Sequence, residues 1–256
     1  MRKIYFLFSV LFLYCSGSLF AQHNAAKLHS HNDYLQTIPF WEAYANGLES
    51  IEADVILLDG KLFVAHEKES IQEHRTLQSL YLDPIRTAYR LDLGTSKEIQ
   101  LLIDIKTEPY ATLGKLEKVL AAYQDLWDGT YADAQVKIVI SGNRPKPEDY
   151  ERYPDFIHFD YQSVTETDNL PLQKIALISL NFRKLSAWNG NDALDKGELT
   201  AIKQAIQVAH NLGRPIRFWA TPDTETAWST LIDLGVDYIN TDMPYPARAF
   251  LNHLQR

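Results

Sequence analysis

Eight short apolar runs, separated by helix-like segments, predict an α/β protein folded as a single (β/α)8 TIM barrel. Three observations carry this reading. Runs rich in Val, Ile and Phe alternate with helical patterns, as parallel strands joined by crossovers do. Eight such runs in roughly 230 residues match the usual size of the barrel. The polar residues His29, Glu52, Asp54, His66, Asp104, Lys106, Asn181, Trp219 and Asn240 to Asp242 all fall near strand C-terminal ends, where barrels build their sites. A doubly wound open sheet is the next architecture in line.

The elements follow in chain order. Met1-Arg2-Lys3, an apolar run over 4–14 and a small-residue exit over 16–21 read as a secretory signal peptide, residues 1–21, too short for a comfortable membrane span. Residues 22–256 then form one domain, expected to be secreted or periplasmic. Cys15 is the single cysteine, so the processed chain has no disulfide and no cysteine zinc site. A first strand is expected over 27–32 and a short helix over 39–46, ending before Gly47. The second strand covers 50–57, and an Asp59-Gly60 turn leads into an extended piece over 62–65. The longest link, 67–99, carries a small helical excursion over 77–82. Further strands are expected at 100–105, 136–140, 156–159, 175–180, 216–220 and 236–241. Helices are expected at 113–123, 147–153, 199–212 and 224–234, with Gly213 and Gly235 as C-terminal caps of the last two.

Candidate chemistry clusters in 29–66. Glu52 and Asp54 sit two apart in a β-branched run, so both leave the same strand face and one cation could bridge them. Asp104 adds a third carboxylate, and hard oxygen donors select one Mg²⁺ or Ca²⁺. The alternative is pairing of these acids with Lys106 or Arg183. Lys106 shares the face of Asp104 and could hold a phosphate oxygen as a point charge. His29 and His66 flank the Glu-x-Asp pair as acid and base. His31 shares the face of His29 and, with Asn32, is expected to contact substrate or support an acid. Trp219 and Asn240 are expected to form one wall of the pocket. A net charge of −8 without a Lys/Arg block excludes a nucleic-acid footprint.

These residues resemble the superfamily of glycerophosphodiester phosphodiesterases and phosphatidylinositol phospholipase C-like enzymes. The likeness runs through a first histidine, a Gly-x-x-x-x-Glu-x-Asp segment (Gly47 to Asp54), the Asp59-Gly60 turn and a second histidine, and then through Gly235-Val-Asp-Tyr-Ile-Asn-Thr-Asp-Met-Pro244. It implies His29 and His66 as catalytic histidines and Glu52, Asp54 and Asp104 as metal ligands. Three features depart from the bacterial glycerophosphodiesterases: His29-Ser30-His31-Asn32 replaces His-Arg-Gly, no Glu-Asn-Thr follows, and the link after His66 is short for a glycerol-binding insertion. Asp104-Ile-Lys106 looks more like the sphingomyelinase D branch. The expected activity is a metal-dependent phosphodiesterase acting on a glycerophosphodiester or phospholipid-type substrate, as a monomer, with peripheral membrane contact compatible with it. Two other readings remain: a His-x-His barrel metallo-phosphoesterase, and a non-catalytic module that binds a phosphorylated ligand.

Overall fold

The computed structural model describes residues 26–96, 98–130 and 135–254, so the expected leader over 1–21 lies outside them. Among the described residues the barrel strands are β1 (Lys27–Ser30), β2 (Ser50–Leu58), β4 (Glu98–Ile105), β5 (Gln135–Gly142), β6 (Ile157–Tyr161), β7 (Ile175–Asn181), β8 (Ile216–Trp219) and β9 (Tyr238–Thr241). They pair in parallel around the ring, and the β1–β2 and β1–β9 pairings close it. The open sheet is thereby excluded. The ninth strand, β3 (Lys61–Val64), runs antiparallel to the outer end of β2 and stands outside the ring. Asp59 and Gly60 both take positive φ between them, as a two-residue hairpin turn requires.

The helices are α1 (Trp41–Ala45), α2 (Asp83–Arg90), α3 (Pro109–Leu120), α4 (Lys196–Asn211), α5 (Glu225–Asp233) and α6 (Pro244–Leu254). Local chemistry sets their starts. Asp195 accepts from the Gly197 N–H ahead of α4, and Thr224 from the Ala227 N–H ahead of α5. Two helices, α2 and α6, were not expected. Each opens on a proline in its first turn, where the missing N–H costs nothing. The segment 147–153 forms a 3-10 turn over Pro147–Arg152 instead of an α-helix.

Strand alternation divides the residues into two cores. Ile51, Ala53 and Val55 of β2 belong to the large core shared with the surrounding helices, while Ser50, Glu52 and Asp54 face the barrel axis. Along the axis, Leu102, Val139, Leu177 and Tyr238 form a small apolar layer. Each precedes by two residues a polar neighbour on its strand: Asp104, Ser141, Ser179 and Asn240. A polar layer therefore lies directly above an apolar plug.

Candidate active site

Asp54 and Asp104 are register partners on β2 and β4, and Glu52 sits two residues before Asp54 on the same face. One ligand atom from each of the three carboxylates lies within 4.8 Å of the others. Crowded like charges resist joint ionisation. Burial first, and then the charges of Glu52 and Asp54, push Asp104 up to about 6 against the pull of Lys106. The Lys106 ammonium stands 3.0 Å from Asp104 Oδ1 and 3.1 Å from Asp54 Oδ2, so the pairing with acids expected of it exists, although not with Glu52. Asp54 Oδ2 also accepts from the Tyr34 hydroxyl at 2.9 Å, while Asp54 Oδ1 is buried with no hydrogen-bond partner. An orphaned carboxylate oxygen beside two further acids fits one hard divalent cation. Gly142 completes the cradle: its φ is +65°, and a Cβ there would fall 2.0 Å from Asp104 Oδ1.

Two histidines border this cluster at the mouth. His66 follows β3, its side chain is 62% exposed, and Nδ1 meets Asp54 Oδ2 at 2.6 Å, which leaves Nε2 outward. His31 follows β1, its side chain is 25% exposed, and Nδ1 meets Asp242 Oδ1 at 2.8 Å. Burial alone would lower the His31 pKa, but the hydrogen bond to Asp242 and the charges of Glu52 and Asp242 outweigh it and raise the value. Asn32 takes the left-handed conformation that asparagine tolerates and lays its amide 3.1 Å from His31 Nδ1.

His29 is not where an acid or base could act, and its expected pairing with His66 is corrected. It is fully buried, with Nδ1 2.7 Å from Ser50 Oγ and Nε2 2.8 Å from Glu52 Oε2. Burial, reinforced by the Arg217 charge, drives its pKa down to about 3, so it is neutral near pH 7. Period-2 alternation gives His29 and His31 the same face but not the same depth.

Arg217, which the sequence reading passed over, organises the layer beneath the acids. From β8 its guanidinium donates to Glu52 Oε2 at 2.9 Å, to Asn240 Oδ1 at 3.3 Å and to Ser179 Oγ at 3.1 Å, and it also touches His29 Nε2. Despite burial, the His29 hydrogen bond and the Arg217 charge hold Glu52 well below the usual carboxylate range. The signal was present: an arginine two residues before Trp219 in a strand must face the axis. Asn240, expected on the pocket wall, is buried as a partner of Arg217, a second correction; Trp219 ends β8 half-buried on the axial face. Among the described residues the three acids form the sole metal-type cluster, and it contains no histidine, contrary to the His-x-His metallo-phosphoesterase reading.

Comparison with known proteins adds a lineage. A family described as "AIM6-like phosphodiesterase domain" matches residues 18–92, and the "Glycerophosphoryl diester phosphodiesterase family" matches residues 215–245. The chain is 29% identical to "Altered inheritance of mitochondria protein 6" of Lachancea thermotolerans, over 84% of this chain and 63% of that protein. It is 25% identical to the homologue of Arthroderma benhamiae, over 87% and 83%. A glycerophosphoryl diester phosphodiesterase of Parabacteroides distasonis shares the fold with a TM-score of 0.59 at 15% identity, over 92% of this chain and 89% of that one. A second glycerophosphodiester phosphodiesterase of the same organism gives 0.58 at 17%, over 91% and 99%. These relatives correct one expectation. Their names tie them to the inheritance of mitochondria, and the secreted or periplasmic localisation is withdrawn.

Proposed function

We propose that this chain, which these matches place in the glycerophosphodiester phosphodiesterase-like superfamily, is a metal-dependent phosphodiesterase whose acid and base are His31 and His66. One observation carries the proposal: two histidines, each tied through Nδ1 to a carboxylate, flank a three-carboxylate cluster on the same barrel mouth. A binding module needs neither second ring nitrogen.

Each hydrogen-bonded carboxylate fixes a tautomer, so that Nε2 of His31 and of His66 faces the substrate. One histidine removes a proton from the attacking hydroxyl or water. The other, entering the step as imidazolium with its Nδ1–H still on its carboxylate, delivers its Nε2 proton to the departing alcohol oxygen. Lys106 holds a non-bridging phosphoryl oxygen by charge. Glu52, Asp54 and Asp104 would hold one Mg²⁺ or Ca²⁺, which when bound offsets the charge that builds on the phosphoryl oxygens. Arg217 and His29 act from below, keeping Glu52 ionised and in place. Trp219 and Asn32 border the substrate at the mouth. The substrate is a small-molecule or lipid phosphodiester of the glycerophosphodiester or phospholipid type, the protein acts as a monomer, and its negative charge keeps it from nucleic acid.

The test is product release from glycerophosphocholine, glycerophosphoinositol, lysophospholipid and bis-p-nitrophenyl phosphate with Mg²⁺, Ca²⁺ or EDTA. Turnover that EDTA abolishes and that His31→Ala and His66→Ala each lower by about a hundredfold or more supports the reading. Turnover that survives EDTA and His31→Ala sinks it.

A further inference from the structure

Two loops at the catalytic mouth display large apolar side chains to water. Leu35 is 72% and Ile38 58% exposed at the tip of the loop that joins β1 to α1, and Met243, two residues after β9, is 38% exposed. Single exposed apolar residues need no explanation, but Leu35 and Ile38 stand on a loop built to hold them. Asp33 is buried beneath the tip, where it accepts from Ser30 Oγ at 2.9 Å, the Phe40 N–H at 2.6 Å and the Tyr81 hydroxyl at 3.1 Å. Arg75 donates to the Tyr34 carbonyl. At the far end Phe40 adopts φ 64° and ψ −56°, and the Trp41 N–H closes on the Pro39 carbonyl at 2.8 Å. This is a γ-turn of the strained hand, uncommon for a bulky residue and retained only where the surroundings over-determine it.

The tip also connects to the site. Gln36 Nε2 donates to the Asp242 carbonyl at 2.8 Å, and the Asp242 side chain orients His31. A preorganised tip loses little freedom when it is buried. Two or three side chains on a convex tip fall far short of the roughly 1,000 Å² that a stable protein interface requires, whereas insertion into a lipid surface needs no matching partner shape. Near the tip the acids Glu67, Glu69, Glu73 and Asp242 are interspersed with Lys68 and with Lys61, which pairs with Glu73 at 3.9 Å, and there is no polybasic run of the kind an anionic surface attracts, so the surface that fits is zwitterionic.

We propose that Leu35, Ile38 and Met243 form a docking rim that seats the catalytic mouth on a zwitterionic lipid surface, from which the phosphodiester is drawn. The substrate half of this inference rests on the phosphodiesterase reading, and the docking half does not. Co-sedimentation with phosphatidylcholine vesicles in EDTA measures docking without turnover. The parent protein is expected to bind, and Leu35→Ser/Ile38→Ser to bind at least tenfold more weakly. Leu91→Ser/Leu93→Ser, which removes exposed leucines from the opposite mouth, is expected to bind as the parent does. Added phosphatidylserine is expected to give no gain. No binding by the parent, equal loss in both double variants, or a dimer that dissociates with Leu35→Ser/Ile38→Ser while vesicles are ignored would each overturn the proposal. If vesicles bind as expected and no ester turns over, the phosphodiesterase reading fails while docking stands.

Discussion

The two mouths of the barrel differ in a way that separates concavity from chemistry. A hollow of about 1,100 Å³ opens at the N-terminal mouth and is lined by Lys27, Glu49, Glu98, Lys137, His158 and Arg248 among others. There Arg248 already pairs with Glu49 at 3.1 Å and donates to the carbonyls of Asn46 and Gly47. At the C-terminal mouth three carboxylates converge, Asp54 Oδ1 is orphaned, and two histidines are held by acids. The apolar layer of Leu102, Val139, Leu177 and Tyr238 keeps the two apart. Volume follows from how a barrel closes, whereas convergence of like charges has to be built against its own repulsion.

Substitutions can break this contrast. Asp54→Asn removes a proposed cation ligand and the partner of His66 together, so turnover is expected to fall about a thousandfold or more. Lys137→Ala and Glu98→Gln at the other mouth should leave kcat/KM unchanged within a factor of two or so. A comparable loss from either mouth would erase the distinction.

Gly142→Ala sharpens the contrast on geometry alone. The added methyl collides with Asp104 Oδ1, so cation affinity measured by calorimetry should drop about tenfold or more, beside a stability loss of ~1–3 kcal/mol from the positive φ.

The paired histidines separate depth from face. His31→Ala should cost roughly a hundredfold in kcat with little change in the urea midpoint. His29→Ala should instead destabilise by ~2–4 kcal/mol, because Glu52 and Ser50 lose a buried partner.

The smallest expected effect is a pH dependence of stability. His29 titrates near 6.5 when unfolded and at about 3 when folded, so the unfolded chain binds more protons between those values. Its contribution is complete above 6.5 and is lost as pH falls toward 3. Asp33 has the opposite sign: burial raises it from 3.8 to about 6, so it favours the folded state at low pH and loses that advantage as pH rises through this window. Urea melts from pH 4 to 7 should therefore show a shallow slope in the parent, a flatter or reversed one in His29→Gln and a steeper one in Asp33→Asn.

Much of the fold was legible because β-branched runs with polar ends mark barrel strands directly. The antiparallel β3 could be read only as an extended piece, since local pattern does not fix pairing. Helices α2 and α6 were hidden by prolines at positions where a helix accepts them. In the candidate site, spacing along strands puts Glu52 and Asp54 on one face and Asp104 and Lys106 on another, and the structure gathers these four with His66 at one mouth. Depth is not available from spacing: His29 and His31 share a face, yet His29 is fully buried and only His31 reaches the mouth. Arg217 is a lone arginine in an apolar run, which spacing alone does not mark as a partner of Glu52, and Asp242 falls at a strand end but shows its pairing with His31 only when β9 lies beside β1.

That seam between β9 and β1 sets when the site can exist. His31 and Asp242 are separated by 211 positions in the chain, yet they meet across the pairing that closes the ring. A folding chain cannot assemble the dyad until its last strand returns to its first, and contacts so distant in sequence form late. Return of activity after dilution from urea would then time barrel closure itself, lagging behind the earlier growth of helical signal.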